Sequence, residues 1–284
     1  MSSEPLSGHL AVDIQTAPPG AADIPAASRP AKPGAALAGL VWTLVRTDFK
    51  ARYHGTLSGF AWALLKPLTM FAVLVAVFSV IFGAERTYKL DLVIGLFLWD
   101  FFAEGTKVGL TSLHARGYLL AKARFPSWIL VVTSISNPLL TVAVFAVALT
   151  AFLASTSAVP STAHLLLFAS YIAALGAIVV GFSLAASVLF LRFRDLNQVW
   201  EVVTQAGFFV APIVYPVGVI PERFHFYLYA WPPTAAIEFS RAVLIDGRPP
   251  TPLAHAYFAA VAAAVLALGA LVYSWRAPRA AEYV

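Results

Sequence analysis

The chain has 284 residues, of which 60% are hydrophobic and only 12% are charged. A soluble domain carries roughly 25% charged residues, so this composition excludes an ordinary water-soluble protein. The lack of cysteine excludes disulfides and thiolate chemistry. The net charge of +5 does not indicate nucleic-acid binding, because the basic residues lie beside apolar segments and form no continuous tract or nucleic-acid motif.

The first 35 residues are rich in proline, alanine and serine. They have no basic start followed by an apolar core, so we expect a flexible cytoplasmic tail and not a cleaved signal peptide.

In residues 36–55, apolar residues recur at helical spacing, while Arg46 and Lys50 lie together on another side. The apolar positions are Leu37, Leu40, Val41, Leu44 and Val45. This pattern predicts an amphipathic helix in the membrane interface, and its candidate functional residues are Arg46, Asp48, Lys50, Arg52 and Tyr53. Asp48 and Arg52 are four residues apart on the otherwise apolar side and are spaced to pair with each other. The alternative is a solvated charged linker.

Six apolar segments then follow, and each is a candidate membrane span. They are residues 57–83, 90–110, 128–153, 165–191, 199–215 and 256–275. The second is the weakest candidate because it contains Asp100, Glu104 and Lys107. We therefore predict an all-α membrane protein with six transmembrane helices.

Lysine and arginine are concentrated in alternate loops, at positions 46–66, 116–124, 192–194 and 276–279. Because positive charge is retained on the cytoplasmic side, both termini, including residues 276–284, are predicted to be cytoplasmic.

Polar residues recur three or four apart in the second and fifth segments. They are Asp100, Glu104, Lys107 and Thr111 in one, and Gln198, Glu201 and Gln205 in the other. Charged groups in a membrane usually face a cavity or a partner, so these stripes are candidates to line a translocation path. The alternative is a structural ion pair, Glu104 with Lys107, that locks neighbouring helices.

Aromatic residues are a second set of channel-lining candidates. They are Trp62, Trp99, Phe101, Phe102, Phe208 and Tyr215. As channel walls, these rings would present apolar surface to a passing molecule. Packing or interfacial anchoring is the alternative for each of them.

The segment from Pro212 to Pro250 is apolar but too interrupted by proline to span. It predicts short re-entrant helices at the external face, since irregular backbone is tolerated only against protein or a water-filled cavity. We interpret residues 216–250 as an external gate. The candidate gate residues are Pro212, Tyr215, Pro216, Pro221, Glu222 and Arg223.

Three stretches, in order along residues 40–275, resemble the permease subunits of ABC-2 type transporters, specifically those that export O-antigen and related polysaccharides. The stretches are residues 46–67, residues 95–126 and residues 193–224, the last containing the sequence Pro212-Ile213-Val214-Tyr215-Pro216. The chain departs from the family at Trp231-Pro232-Pro233, where Asn-Pro is frequent, and residues 1–35 have no counterpart.

This resemblance implies an ABC-2 transmembrane domain over residues 57–275 and a homodimer in the bacterial cytoplasmic (inner) membrane. It also implies a lipid-linked polysaccharide substrate and a separate ATPase subunit that binds ATP and magnesium. The chain has no Gly-Lys-Ser/Thr phosphate-binding loop, which agrees with a permease that is not itself an enzyme. No cofactor or metal is expected on it, since its six histidines are scattered.

The loop of residues 114–126 is the candidate element for coupling to the ATPase. Its candidate contacts are Tyr118, Leu119, Leu120, Lys122 and Arg124. Without the resemblance, this would be an ordinary positively charged cytoplasmic loop. The remaining alternatives are an ABC-2 permease for teichoic acid, a drug or another lipid, a membrane-embedded glycan-modifying enzyme, and a simple channel.

Overall fold

The structure is a computed structural model that describes residues 33–53, 58–82, 86–118, 125–154 and 160–280. All regular secondary structure in these ranges is helical. The α-helices are α1 Pro33–Tyr53, α2 Ser58–Phe82, α3 Arg86–Ala115, α4 Trp128–Ser134, α5 Ser136–Ala154, α6 Thr162–Phe190, α7 Leu196–Val210, α8 His225–Ala230, α9 Pro232–Leu244 and α10 Pro252–Ala280. Short 3₁₀ turns at Val217–Val219 and Glu222–Phe224 precede α8. The chain divides into two compact units, Met1–Leu40 and Val41–Val284.

Helices at three of the predicted spans are long and apolar enough to cross a membrane. They are Trp128–Ala154, Thr162–Phe190 and Pro252–Ala277, which confirms membrane-length helices at the third, fourth and sixth predicted spans. The first prediction corresponds to α2, whose apolar part, Leu65–Ile81, is shorter. The structure therefore supports an all-helical membrane protein.

The helices at the second and fifth predicted spans differ from the other four. Helix α3 has 30 residues and carries charged side chains, yet Leu92, Ile94 and Leu98 on it are fully buried. This helix lies among other helices of the chain, which explains how a segment with charged positions joins an apolar bundle. Helix α7 has only 15 residues and is about 22 Å long, against a hydrocarbon core of about 30 Å.

Prolines explain where two helices depart from the predicted spans. The third span, predicted as continuous, consists of α4 and α5, which are separated at Ile135. Pro138 has no N–H, and its ring crowds the carbonyl of Ser134 four residues earlier. Helix α7 ends at Val210, before the predicted boundary at 215, because Pro212 forces Ala211 into an extended conformation (φ −69°, ψ 136°).

Glycines allow α6 to pack closely against its neighbours. A Cβ atom on Gly181 would lie 2.5 Å from the carbonyl oxygen of Val265 on α10, and a Cβ atom on Gly269 would overlap the Gly181 backbone. Where α6 meets α3, a Cβ atom on Gly109 of α3 would overlap Ser183 of α6. Small residues at such crossings let helix backbones approach within a membrane, so α6 lies between α3 and α10.

Candidate functional site

An open groove of about 660 Å³ lies between α2, α3 and α7. It contains several of the predicted channel-lining residues, namely Trp62, Trp99, Asp100 and Phe208. Lys66 also lines it and contributes a positive charge to walls that are otherwise largely apolar. We refer to this cavity as the α2/α3/α7 groove.

Aromatic side chains support the wall of this groove from behind. Trp99 packs edge-on against Phe208 at 5.9 Å between ring centroids, and Trp231 lies 6.4 Å from Trp99. Phe102 contacts Trp231 in turn, at 5.6 Å. Phe101 and Phe102 are buried in the hydrophobic core and do not line the groove. Trp231 was not among the sequence candidates, and its position before two prolines was its only signal.

The two predicted polar stripes meet through one ion pair. Lys107 Nζ on α3 lies 3.3 Å from Glu201 Oε1 on α7, and both side chains are about half exposed. This pair joins the two helices, whereas the sequence suggested Glu104 as the partner of Lys107. Glu104 is partly buried on α3, and Gln205 is exposed on α7. An exposed pair of this kind contributes little stability, about 0–1 kcal/mol.

A buried arginine stabilises the irregular backbone that follows the end of α7. Arg241 on α9 is 6% exposed, and its guanidinium donates hydrogen bonds to the carbonyl oxygens of Pro212 (2.5 Å) and Ile213 (3.0 Å). It also donates two bonds to the carbonyl oxygen of Asp91 on α3, from Nε at 2.9 Å and from Nη2 at 2.7 Å. Because α7 stops at Val210, the carbonyls of Pro212 and Ile213 receive no hydrogen bond from a continuing helix. Arg241 supplies the donors instead.

Two carboxylates and one glycine complete the environment of Arg241. Glu238 accepts a hydrogen bond from Nη1 at 2.8 Å, and the carboxylate of Asp91 lies 3.7 Å from Nε. Burial raises the pKa of Glu238, and the positive charge of Arg241 opposes that shift. A Cβ atom on Gly95 would lie 2.7 Å from Nη2, so this glycine makes room for the guanidinium. We call these residues the Arg241 cluster.

The Arg241 cluster was not predicted from the sequence. The available signal was the presence of Asp91, Glu238 and Arg241 within apolar segments, with the last two three residues apart on one helix face. The carbonyl partners gave no signal, since backbone acceptors have no sequence signature.

The predicted gate residues lie in the irregular segment that follows the end of α7. Pro212 is buried, whereas Pro216, Pro221, Glu222 and Arg223 are exposed. The hydroxyl of Tyr215 donates to the carbonyls of Phe209 (3.1 Å) and Val210 (3.0 Å) and so caps the end of α7. Pro232 and Pro233 begin α9, where the first turn needs no N–H donors. The Trp231-Pro232-Pro233 departure from the family therefore forms a helix start.

Arg116 connects the N-terminal helix to the rest of the bundle. Its Nη2 atom donates to Asp48 Oδ2 on α1 at 2.5 Å, and Nη1 donates to Thr133 Oγ1 (3.1 Å) and the Leu130 carbonyl (3.3 Å) on α4. The partner of Asp48 among the described residues is Arg116, and the predicted pairing of Asp48 with Arg52 involves a side chain outside the described residues. Burial raises the pKa of Asp48, and the charge of Arg116 opposes the shift.

The remaining sequence candidates lie at the surface or outside the described residues. Arg46 and Lys50 are exposed on α1, and Tyr118 is exposed after α3. The side chains of Arg52 and Tyr53, and residues Leu119, Leu120, Lys122 and Arg124 of the coupling loop, lie outside the described residues. Within the described residues, no cluster of three or more histidine, aspartate or glutamate side chains could hold a metal.

The described residues form helices, three of which are long and apolar enough to cross a membrane, and this defines a helical integral membrane protein. The model of the ABC-2 type transporter family matches residues 39–245, and the chain belongs to that family. It is thus a transporter membrane subunit, not an enzyme, and the family implies a partner ATPase on a separate subunit.

Curated relatives extend the comparison. The O-antigen export system permease protein RfbA of Myxococcus xanthus is 27% identical over 190 residues, covering 65% of this chain and 71% of the relative. Two proteins of the same name from Klebsiella pneumoniae are 27% identical over 211 residues and 24% identical over 220 residues. Each of these two comparisons covers 73% of this chain and 81% of the relative.

Proposed function

We propose that the chain is the permease subunit of an ATP-driven exporter that moves a lipid-linked polysaccharide across the bacterial inner membrane. The observation that carries this proposal is the similarity to O-antigen export permeases over most of the chain. The α2/α3/α7 groove is compatible with such a substrate, because Trp62, Trp99 and Phe208 present aromatic surface to the apolar faces of sugar rings.

The proposed assembly is a homodimer of six-span subunits with two copies of the ATPase subunit on the cytoplasmic side. Helices α2, α3 and α7 supply the first, second and fifth spans, and both termini are cytoplasmic. Helices α2 and α7 carry apolar side chains that the single chain leaves uncovered, since Val77, Val80 and Val202 are each more than half exposed. A second subunit or lipid would cover these surfaces in the assembly.

The external gate consists of the short helices α8 and α9 with the preceding 3₁₀ turns, which enter the membrane without crossing it. The Arg241 cluster supports this role because it gives the irregular backbone after α7 the internal hydrogen bonds that a membrane environment requires. ATP and magnesium bind to the partner ATPase. ATP binding displaces the loop of residues 114–126, and Arg116 transmits that displacement to α1 through Asp48.

Deletion of the gene for this chain in its host tests the identity of the exported substrate. The expected result is loss of surface polysaccharide together with accumulation of the lipid-linked polymer on the cytoplasmic side, both reversed by the restored chain. Normal surface polysaccharide in the deletion strain, with loss of another exported lipid or of teichoic acid, would contradict the proposed substrate.

A further inference from the structure

A second groove, of about 630 Å³, lies between α1 and α5, and none of its lining residues lines the α2/α3/α7 groove. Its volume falls within the roughly 300–1,000 Å³ of typical ligand sites. The walls are almost entirely apolar and include Trp42 and Phe49 on α1 and Leu139, Leu140 and Ala143 on α5. These side chains are exposed, so an apolar surface remains uncovered here within the single chain.

One cation lies in this groove. Arg46 lines it from α1 and is exposed, and its guanidinium has no hydrogen-bond or ion-pair partner within the part of the chain that the structure describes. Arginine presents a planar set of donors that matches the oxygens of a phosphate group. The groove thus combines a long apolar wall with a single available phosphate-binding side chain.

The surroundings determine the class of ligand. Helix α5 belongs to Trp128–Ala154, one of the segments long and apolar enough to cross a membrane, so an exposed apolar wall on it suits contact with hydrocarbon. Helix α1 carries the exposed Trp42 and basic residues on its surface, as helices at a membrane interface do. A molecule that contacts both the apolar wall on α5 and the basic surface of α1 has an apolar chain and an anionic head.

We propose that this groove binds an anionic phospholipid, with one acyl chain along Leu139, Leu140 and Ala143 and the phosphate on the guanidinium of Arg46. The bound lipid fills the space between α1 and α5 and so holds the interfacial helix against the bundle. The proposal does not depend on which substrate the transporter exports.

Native mass spectrometry of the purified full-length chain in nanodiscs tests this site. The probes are phosphatidylglycerol and phosphatidylcholine with identical acyl chains, and the measurement is the number of lipids retained. We expect one phosphatidylglycerol to be retained selectively, and Arg46→Gln to weaken its binding by about fivefold. Lys50→Gln removes the same charge one helical turn away, outside the groove, and should have a smaller effect.

A second pair of variants tests the acyl site. Ala143→Phe fills the groove and should reduce retention, whereas Val147→Phe adds the same ring to an exposed position of α5 outside the groove and should not. Equal retention of the two lipids would overturn the proposal. Equal losses in Arg46→Gln and Lys50→Gln, or equal retention in Ala143→Phe and Val147→Phe, would overturn it as well.

Discussion

Arg116, immediately after α3, donates a charged hydrogen bond to Asp48 on α1, with 2.5 Å between Nη2 and Oδ2. The two side chains are only 17% and 20% exposed. Arg116 also bonds to Leu130 and Thr133 on α4. One guanidinium therefore connects three helices at the base of the proposed coupling loop.

Breaking this connection should impair coupling before it impairs insertion in the membrane. Arg116→Ala leaves the Asp48 carboxylate largely buried without its partner, and we expect a loss of about 1–3 kcal/mol in stability. Substrate-stimulated ATP hydrolysis by the assembled transporter should fall. The charge-exchanged double variant Asp48→Arg with Arg116→Asp should recover part of that activity relative to either single variant.

Lys50→Ala is the matched control for that measurement, because Lys50 is exposed on the same helix. It should leave stimulated hydrolysis unchanged. If the double variant were no better than the worse single variant, direct coupling between these two residues would be rejected.

Removal of the Arg241 side-chain charge should destabilise the chain strongly. Arg241→Met leaves the Glu238 carboxylate and the carbonyls of Pro212 and Ile213 without their donor, and breaking a buried pair in this way costs about 3–5 kcal/mol. Thermal unfolding in detergent should show a lower midpoint. Gly95→Ala should act in the same direction, since the added methyl group meets the guanidinium.

Arg248→Met serves as the comparison for the Arg241 variant, since Arg248 is exposed in the same external segment. Its unfolding midpoint should match that of the unmodified chain. If the unfolding midpoint of Arg241→Met were also unchanged, the Arg241 cluster would not stabilise the backbone after α7.

Trp62 separates a role in transport from a role in stability. It is 64% exposed and lines the α2/α3/α7 groove, so Trp62→Ala should lower the export rate while leaving the unfolding midpoint nearly unchanged. Trp275 on α10 is 65% exposed and does not line this groove, so Trp275→Ala is a matched control. Equal export rates in the two variants would remove Trp62 from the translocation path.

The coupling loop is testable by charge reversal. Lys122→Glu with Arg124→Glu should reduce association of the ATPase subunit, measured by co-purification, because the proposed contact pairs these cations with acidic groups. Arg192→Glu changes an exposed arginine in a different predicted cytoplasmic loop and is the control. Unchanged association in the double variant would exclude this loop from the ATPase contact.

Apolar segment lengths were sufficient to predict the three helices of membrane-crossing length, because a membrane span needs about 20 apolar residues wherever it occurs. The break at Ile135 and the early end of α7 were less accessible, although Pro138 and Pro212 cause both. The sequence indicated that each proline restricts the backbone but did not show whether the helix would bend or stop. In the structure, the third span is interrupted at Ile135, whereas α7 ends at Val210.

Tertiary partners were the main part of the candidate site that the sequence could not predict. Arg116, which donates to Asp48, lies 68 residues away in the sequence, and helical spacing gave no indication of it. Lys107 likewise pairs with Glu201, 94 residues distant, and not with the nearby Glu104. Helical spacing identifies which residues share a face, but the packing of α3 against α1 and α7 decides which faces meet.

Transport in a reconstituted system tests the central claim most directly. The purified chain and its ATPase subunit are placed in proteoliposomes, and the transfer of a labelled lipid-linked polysaccharide across the bilayer is measured. We expect transfer only when both subunits, ATP and magnesium are present. Transfer or modification of the glycan by this chain without the ATPase and ATP would contradict its assignment as the permease of an ATP-driven exporter.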